Sequence, residues 1–196
     1  MAKRHSVELA DILDARAYEA IRREKRAALM ALKRRRRMEV GPFATFHFEC
    51  WETMWYQVQE MLRVERGGPA QIPGELEAYN PLVPQGRELV ATVMFEIDDP
   101  LRRPAVLARL GGVEHTAFLR VGTQRVTGTA DADADRTDEK GKASSVQFVR
   151  FAFSDAEADA FRAPGTEIVI GFTHPNYGHM AVMPEDVRAA LAEDFD

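Results

Sequence analysis

Residues 43–69 read FATFHFECWETMWYQVQEMLRVERGGP, and within them one periodicity gives way to another. In FATFHF the residues alternate: Phe46 and Phe48 point one way, Thr45 and His47 the other, as in a short half-buried strand. From Cys50 the spacing changes. At about 100° per residue, Cys50, Trp51, Met54, Trp55, Val58, Met61 and Leu62 fall in one broad arc. Glu49, Glu52, Thr53, Tyr56, Gln59, Glu60 and Arg63 fall opposite, so the spacing predicts an amphipathic helix that Gly67-Gly68-Pro69 stops. Glu65 projects into the apolar arc and must sit at a frayed end, be paired, or be functional.

Upstream, Asp14 is placed to cap a long helix over ARAYEAIRREKRAALMALKRRRR, residues 15–37, ended by Gly41-Pro42. Ala17, Ala20, Ile21, Ala28, Leu29 and Leu32 give it one modest apolar face, and the basic run Lys33 to Arg37 falls where cations meet the negative end of the helix dipole. Downstream, IPGELEAYNPLVPQG reads as a helical turn and a proline-stiffened connection. The period then becomes two. In ELVATVMFEI, Leu89, Ala91, Val93, Phe95 and Ile97 share a face; HTAFLRVGTQRVTGT and SSVQFVRFAF read as further strands, and TEIVIGFTHPNYGHMAVM as a hairpin around residues 175–178. RPAVLARLGG, SDAEADAFRAPG (capped by Ser154) and PEDVRAALAEDF (Pro184 first) read as short helices. Helices followed by a run of strands predict a single α+β domain over residues 1–196: N-terminal helices on a largely antiparallel sheet of about five strands, with short helical insertions and a C-terminal helix.

Composition narrows the function classes. The chain has 196 residues, is 45% hydrophobic and 29% charged, and has one cysteine, Cys50. One thiol excludes an internal disulfide, a self-contained zinc ribbon and an iron–sulfur cluster. No apolar run approaches the roughly 20 residues that cross a bilayer, and MAKRHSVELADILD lacks the apolar stretch of a secretion signal; a cytoplasmic protein is the expectation. The net charge of −5 hides a polarity: residues 1–40 carry 12 Lys and Arg against 6 Asp and Glu, or +6, and the remainder 14 against 25, or −11.

The segments ALKRRRRMEVGP, FECWETMWYQVQEMLRVER, ELEAYNPLVPQGRELVAT and VQFVRFAF, in this order and over most of the chain, resemble a family of bacterial proteins classed only as a domain of unknown function. The family is similar in setting to proteins encoded beside rubrerythrin and an iron–sulfur oxidoreductase. The resemblance implies a role near iron or peroxide metabolism and a protein partner in such a redox system. It brings no activity with it. Cys50 departs from the family pattern, in which a polar helix-capping residue is commoner, and that argues against a redox role for the thiol.

Several constellations bear on chemistry. Glu60 or Glu65 with His174 and His179 would suit a carboxylate–histidine site for iron or zinc, because the two histidines flank a four-residue turn. No Glu-x-x-His pair of the di-iron type occurs, and a solvated helix face with turn histidines explains the same residues. The basic residues Arg34, Arg35, Arg36 and Arg37 could dock an acidic partner; a pI of 5.6 and the lack of interleaved aromatics speak against nucleic acid. In ELEAYNPLVP, Glu75, Tyr79 and Asn80 form either a hydrogen-bonded corner or, with Gln57, Glu60 and Arg63, a polar pocket under aromatics. Asp131, Asp133 and Asp135 match the first ligands of a calcium loop, but Arg136 stands where glycine is needed and Lys142 where the bidentate glutamate belongs. No nucleophile elbow, phosphate loop or dinucleotide fingerprint is present. The residues favour a non-catalytic accessory or interaction protein in a bacterial redox or iron-related pathway. A metal- or small-ligand-binding protein, enzymatic or not, is the alternative.

Overall fold

The computed structural model describes residues 3–130, 137 and 141–196. Eight strands form one antiparallel sheet: β1 (Arg37–Val40), β2 (Ala44–Phe48), β3 (Glu88–Phe95), β4 (Ala117–Val121), β5 (Gln124–Ala130), β6 (Val146–Ala152), β7 (Ile168–Phe172) and β8 (Met180–Val182). They lie in the order β1-β2-β3-β6-β5-β4-β7-β8, which curls until β1 and β8 approach each other in a nearly closed barrel. Helices α1 (Ala15–Arg34), α2 (Trp51–Glu65) and α3 (Ile72–Tyr79) lie outside it, joined by the shorter α4 (Arg102–Leu107), α5 (Asp155–Arg162) and α6 (Glu185–Ala192). No described helix is long and apolar enough to cross a membrane.

The mixed class and the antiparallel pairing are as the sequence predicts; the strand number is not. Two features hide the extra strands. The residues after Lys33 read as the end of a helix, yet α1 stops at Arg34 and RMEV alternates exposed and buried as β1, with Met38 and Val40 inward. Gly41-Pro42 is therefore the turn of the β1–β2 hairpin rather than a helix stop, and Gly41 holds φ 68°, a left-handed value that glycine adopts without strain. HTAFLRVGTQRVTGT is likewise two strands: Gly122 at φ 57° turns β4 back on β5, with Val121 paired to Gln124.

The barrel interior is the main core. Phe46, Phe48, Leu89, Ala91, Val93, Val149, Phe151, Ile170 and Phe172 alternate inward, and the rings of Phe46 and Phe172 stack at 5.0 Å. A second apolar cluster sits on the barrel's outer wall. Val90 there meets Met54 and Trp55 of α2, Tyr18 of α1, Leu82, Val83 and the N-terminal Val7, with Phe148 packed at its edge. Asp14 caps α1 as its sequence predicts, its carboxylate accepting the Ala17 N–H at 2.8 Å. The buried arc of α2 is wider than its sequence indicates: Thr53 and Gln59, assigned to the solvent side, are each 2% exposed. The reason is that α2 is covered by α1 and α3 as well as by the barrel.

Candidate functional site

The 7-residue spacing of Lys25, Leu29, Leu32 and the flanking Ala28 faces α1 toward the start of α2, leaving a cleft of about 340 Å³ between them. Trp51 and Trp55, one helical turn apart, stack at 6.0 Å and 16° as its aromatic wall, and Tyr56 continues it. Both indoles are anchored: Trp51 Nε1–H donates to Ser6 O at 2.8 Å and Trp55 Nε1–H to Asp11 O at 2.9 Å. An N-terminal strap, residues 3–14, is thereby fastened along α2, and Asn80 holds it again by accepting from Val7 N (2.7 Å) and donating to Val7 O (3.1 Å). Cations already cover both rings, the Arg4 guanidinium 3.8 Å from Trp51 and Lys25 Nζ 5.9 Å from Trp55.

A second chamber of about 350 Å³ shares Leu32, Trp51 and Glu52 with the first and reaches Cys50, Arg36 and Asp194. Arg36, 4% exposed, donates to Phe48 O at 3.1 Å, to Glu49 O at 2.9 Å and, through both terminal nitrogens, to the Asp194 carboxylate. Burial pushes the Asp194 carboxyl up, against the pull of the guanidinium. Burial also pushes the Cys50 thiol up to about 11, with Arg36 opposing. The thiol is therefore protonated at neutral pH and a poor nucleophile. Cys50 serves as the N-cap residue of α2, its N–H given to Thr53 Oγ1 at 2.9 Å.

The sequence-derived candidates scatter. Glu60 accepts from Tyr18 Oη at 2.6 Å and from Arg22 at 2.7 and 2.8 Å, and the Arg22 contact holds its carboxyl down at about 2. Glu65 ends α2, exposed, and accepts from Gln71 at 2.6 Å, which resolves its place on the apolar arc as a paired helix end. His174 is buried in the β7–β8 connection between Gly111 O and Asn176 N, each at 3.2 Å, and His179 rests edge-on to Tyr177. These four are not brought together, and among the described residues no group of three or more His, Cys, Asp or Glu could hold a metal. The acidic stretch compared with a calcium loop lies, Thr137 and residues 141–142 apart, outside the described residues.

Of the polar-pocket set, Asn80 locks the strap rather than its local backbone. Glu75 accepts from Gln71 at 2.8 Å, Arg63 pairs with Glu19 at 2.8 Å, Tyr79 packs beside the outer cluster and Gln57 is half-buried. These bonds tie Asn80 to the N-terminal strap and Glu75 to Gln71, and they neither lock the corner through its local backbone nor gather the pocket set. Of the basic run, Arg34 and Arg35 are exposed at the end of α1, Arg37 pairs with Glu39 on β1, and Arg36 is interior and committed to Asp194. Arg36 is thus a strut and not a docking residue.

Sequence reasoning took the tryptophans as core and missed the Arg36–Asp194 pair, whose members lie 158 residues apart with no local motif to join them. It also missed Tyr177, whose hydroxyl donates to Val40 O at 2.8 Å and accepts from Phe43 N and Ala44 N at 2.9 and 2.8 Å. On the outer wall, Thr92 donates to Glu49 at 2.7 Å, burial lowers the His47 pKa, and neither His47 Nε2 nor Gln59 Nε2 has a hydrogen-bond partner among the described residues.

The model of a family described as "Protein of unknown function (DUF3501)" matches residues 6–195. A crystal structure of a novel protein of unknown function from Burkholderia pseudomallei K96243 superposes with a TM-score of 0.90 at 39% identity, covering 97% of this chain and 100% of that one. No curated protein matches.

Proposed function

Because the chain belongs to the DUF3501 family, whose function is unknown, we propose its role from the cleft itself: a non-catalytic binding protein that holds a small amphipathic ligand between α1 and α2. The observation that carries this is the paired cleft. An apolar chamber walled by Trp51, Trp55, Leu29 and Leu32 adjoins a polar one around Arg36, Asp194 and Cys50, with Leu32, Trp51 and Glu52 lining both. Pockets that bind small molecules combine such apolar walls with a few placed polar groups. A flat or elongated apolar body in the first chamber with a polar end in the second matches that order.

The non-catalytic part rests on the site's chemistry. Its thiol is held protonated, and its buried carboxylate is occupied by its own arginine. At pH 8 a disulfide reagent reacts with Cys50 roughly a hundredfold more slowly than with a free thiol, in proportion to the thiolate fraction; a rate near that of free cysteine would return the site to catalysis. The redox or iron setting, with a rubrerythrin-type or iron–sulfur partner, stays part of the proposal on the resemblance of the four sequence segments. The carboxylate–histidine metal reading has less support, because Glu60 is taken by Tyr18 and Arg22 and His174 by backbone.

The binding test is a titration of tryptophan emission with anilinonaphthalene sulfonate, alongside native mass spectrometry of freshly purified protein. Saturable quenching is expected, and Ala28→Phe, an exposed position on the cleft wall, weakens it by about tenfold, equivalent to ~1.4 kcal/mol. Binding unaffected by Ala28→Phe would place the ligand elsewhere and sink the reading.

A further inference from the structure

The solvent face of α1 carries cations that the fold does not use. Arg16, Arg23, Arg26, Lys33 and Arg34 are all exposed, and among the described residues none has an ion-pair partner. At about 100° per residue they fall within an arc of roughly 120°, away from the side that packs Tyr18, Leu29 and Leu32. Their spacing is close to a heptad: 16, 23 and 30 make one line, 19, 26 and 33 the next, so the row drifts by only about 20° per heptad over about 27 Å of helix. Met30 sits within it, about one turn from its C-terminal end, and is 54% exposed. The one acid in the arc, Glu19, is held by Arg63 of α2 at 2.8 Å.

We propose that this row is a docking face for an acidic amphipathic helix of a partner protein, lying alongside α1 with carboxylates against the five cations and an apolar residue on Met30. The complementarity is one of shape as well as charge, because a heptad row is what a second helix can follow. Other anionic partners fit less well. A helix laid along its length on α2 cannot enter a DNA major groove about 8.5 Å deep, and the −11 charge of the remaining chain repels phosphate. No aromatics interleave the cations for stacking on single strands. A bilayer-bound helix needs a broad apolar face, and on α1 Met30 is the one large apolar side chain that is exposed. This inference is independent of the cleft ligand.

The test uses the full chain and a fluorescent helical peptide with glutamate at heptad positions and leucine opposite Met30. Binding is expected, weakening with salt, and reduced at least about tenfold by Arg23→Glu with Arg26→Glu, exposed changes that leave the thermal midpoint unchanged. Arg120→Glu, on β4 and already paired with Glu167, is the control that leaves binding intact. A peptide of the same composition in scrambled order should bind several-fold more weakly. The proposal falls if the scrambled peptide binds equally, if the double reversal has no effect, or if a DNA duplex or phosphatidylglycerol vesicles bind more tightly than the peptide. Photo-crosslinking from position 30 in cells then reads the native partner: an acidic helical segment supports the assignment, and nucleic acid, lipid or a basic segment overturns it.

Discussion

The two sides of the barrel wall obey different rules, although the same strands make both. Inward, β2 presents Phe46 and Phe48, 0% and 1% exposed, to a ring-filled interior with few polar side chains. Outward, the same strand presents Thr45 and His47, and the layer over them holds Glu49, Thr92, Thr53 and Gln59 in a patchwork of bonds, some incomplete. An interior of this kind is satisfied by volume and apolarity. A layer between helices and a barrel's outer wall is satisfied only by particular partners, so it retains clefts and struts; among the described residues unmet polar atoms occur on both sides, His47 Nε2 and Gln59 Nε2 outside and Gln147 Oε1 on the inward face of β6. The candidate site belongs to that second layer, and this is where changes of side-chain chemistry, rather than of size, should register.

The contrast can be broken from either side. The largest effect is expected inside: Phe46→Ala removes a fully buried ring stacked on Phe172 and should cost about 4 kcal/mol in denaturant unfolding. A loss under half of that would mean that the interior collapses onto the gap. Next, Arg36→Met leaves Asp194 buried without its partner and should cost about 3 kcal/mol, while adding Asp194→Leu restores most of it. If the double variant is as unstable as the single one, the bonds to Phe48 O and Glu49 O, rather than the ion pair, set the strength of the strut. Third comes pH. Arg22 and Tyr18 depress the Glu60 carboxyl, so its contribution is complete above the unfolded value near 4.5 and is lost as pH falls toward about 2. With the group partly exposed, about 1–2 kcal/mol should disappear over that window, and Glu60→Gln should flatten the slope. Last, Asp14→Ala removes the α1 cap and should lower stability by about 1 kcal/mol without touching the cleft. A larger loss would show the strap depends on that helix end.

How much was legible in the sequence follows the same division. Phe46, Phe48 and the run Leu89 to Phe95 announce their faces by alternation, and Asp14, Ser154 and Gly67-Gly68 announce helix ends by local chemistry. These signals depend on neighbours in the chain. β1 was hidden because Arg36 and Arg37 continue a basic run begun in α1, although one is an interior strut and the other the first residue of a strand. The site was illegible for a related reason. Arg36 and Cys50 flank one hairpin while Asp194 lies at the other end of the chain, and the tryptophans carry the same hydrophobic signature whether they fill a core or wall a cleft. Glu60 drew notice only as a metal or pocket candidate, because its actual partners, Tyr18 and Arg22, lie on the other helix.

The phenol of Tyr177 has one more consequence. It reaches from the β7–β8 connection to three backbone groups at the β1–β2 turn, while β1 and β8 themselves share no ladder. The cylinder is therefore fastened along that line by a side chain and by packing, whereas every other neighbouring pair of strands is stitched by main-chain bonds. Slow amide exchange should spread around the circumference and fail there first, so that the molecule on warming unrolls from one known margin rather than melting evenly.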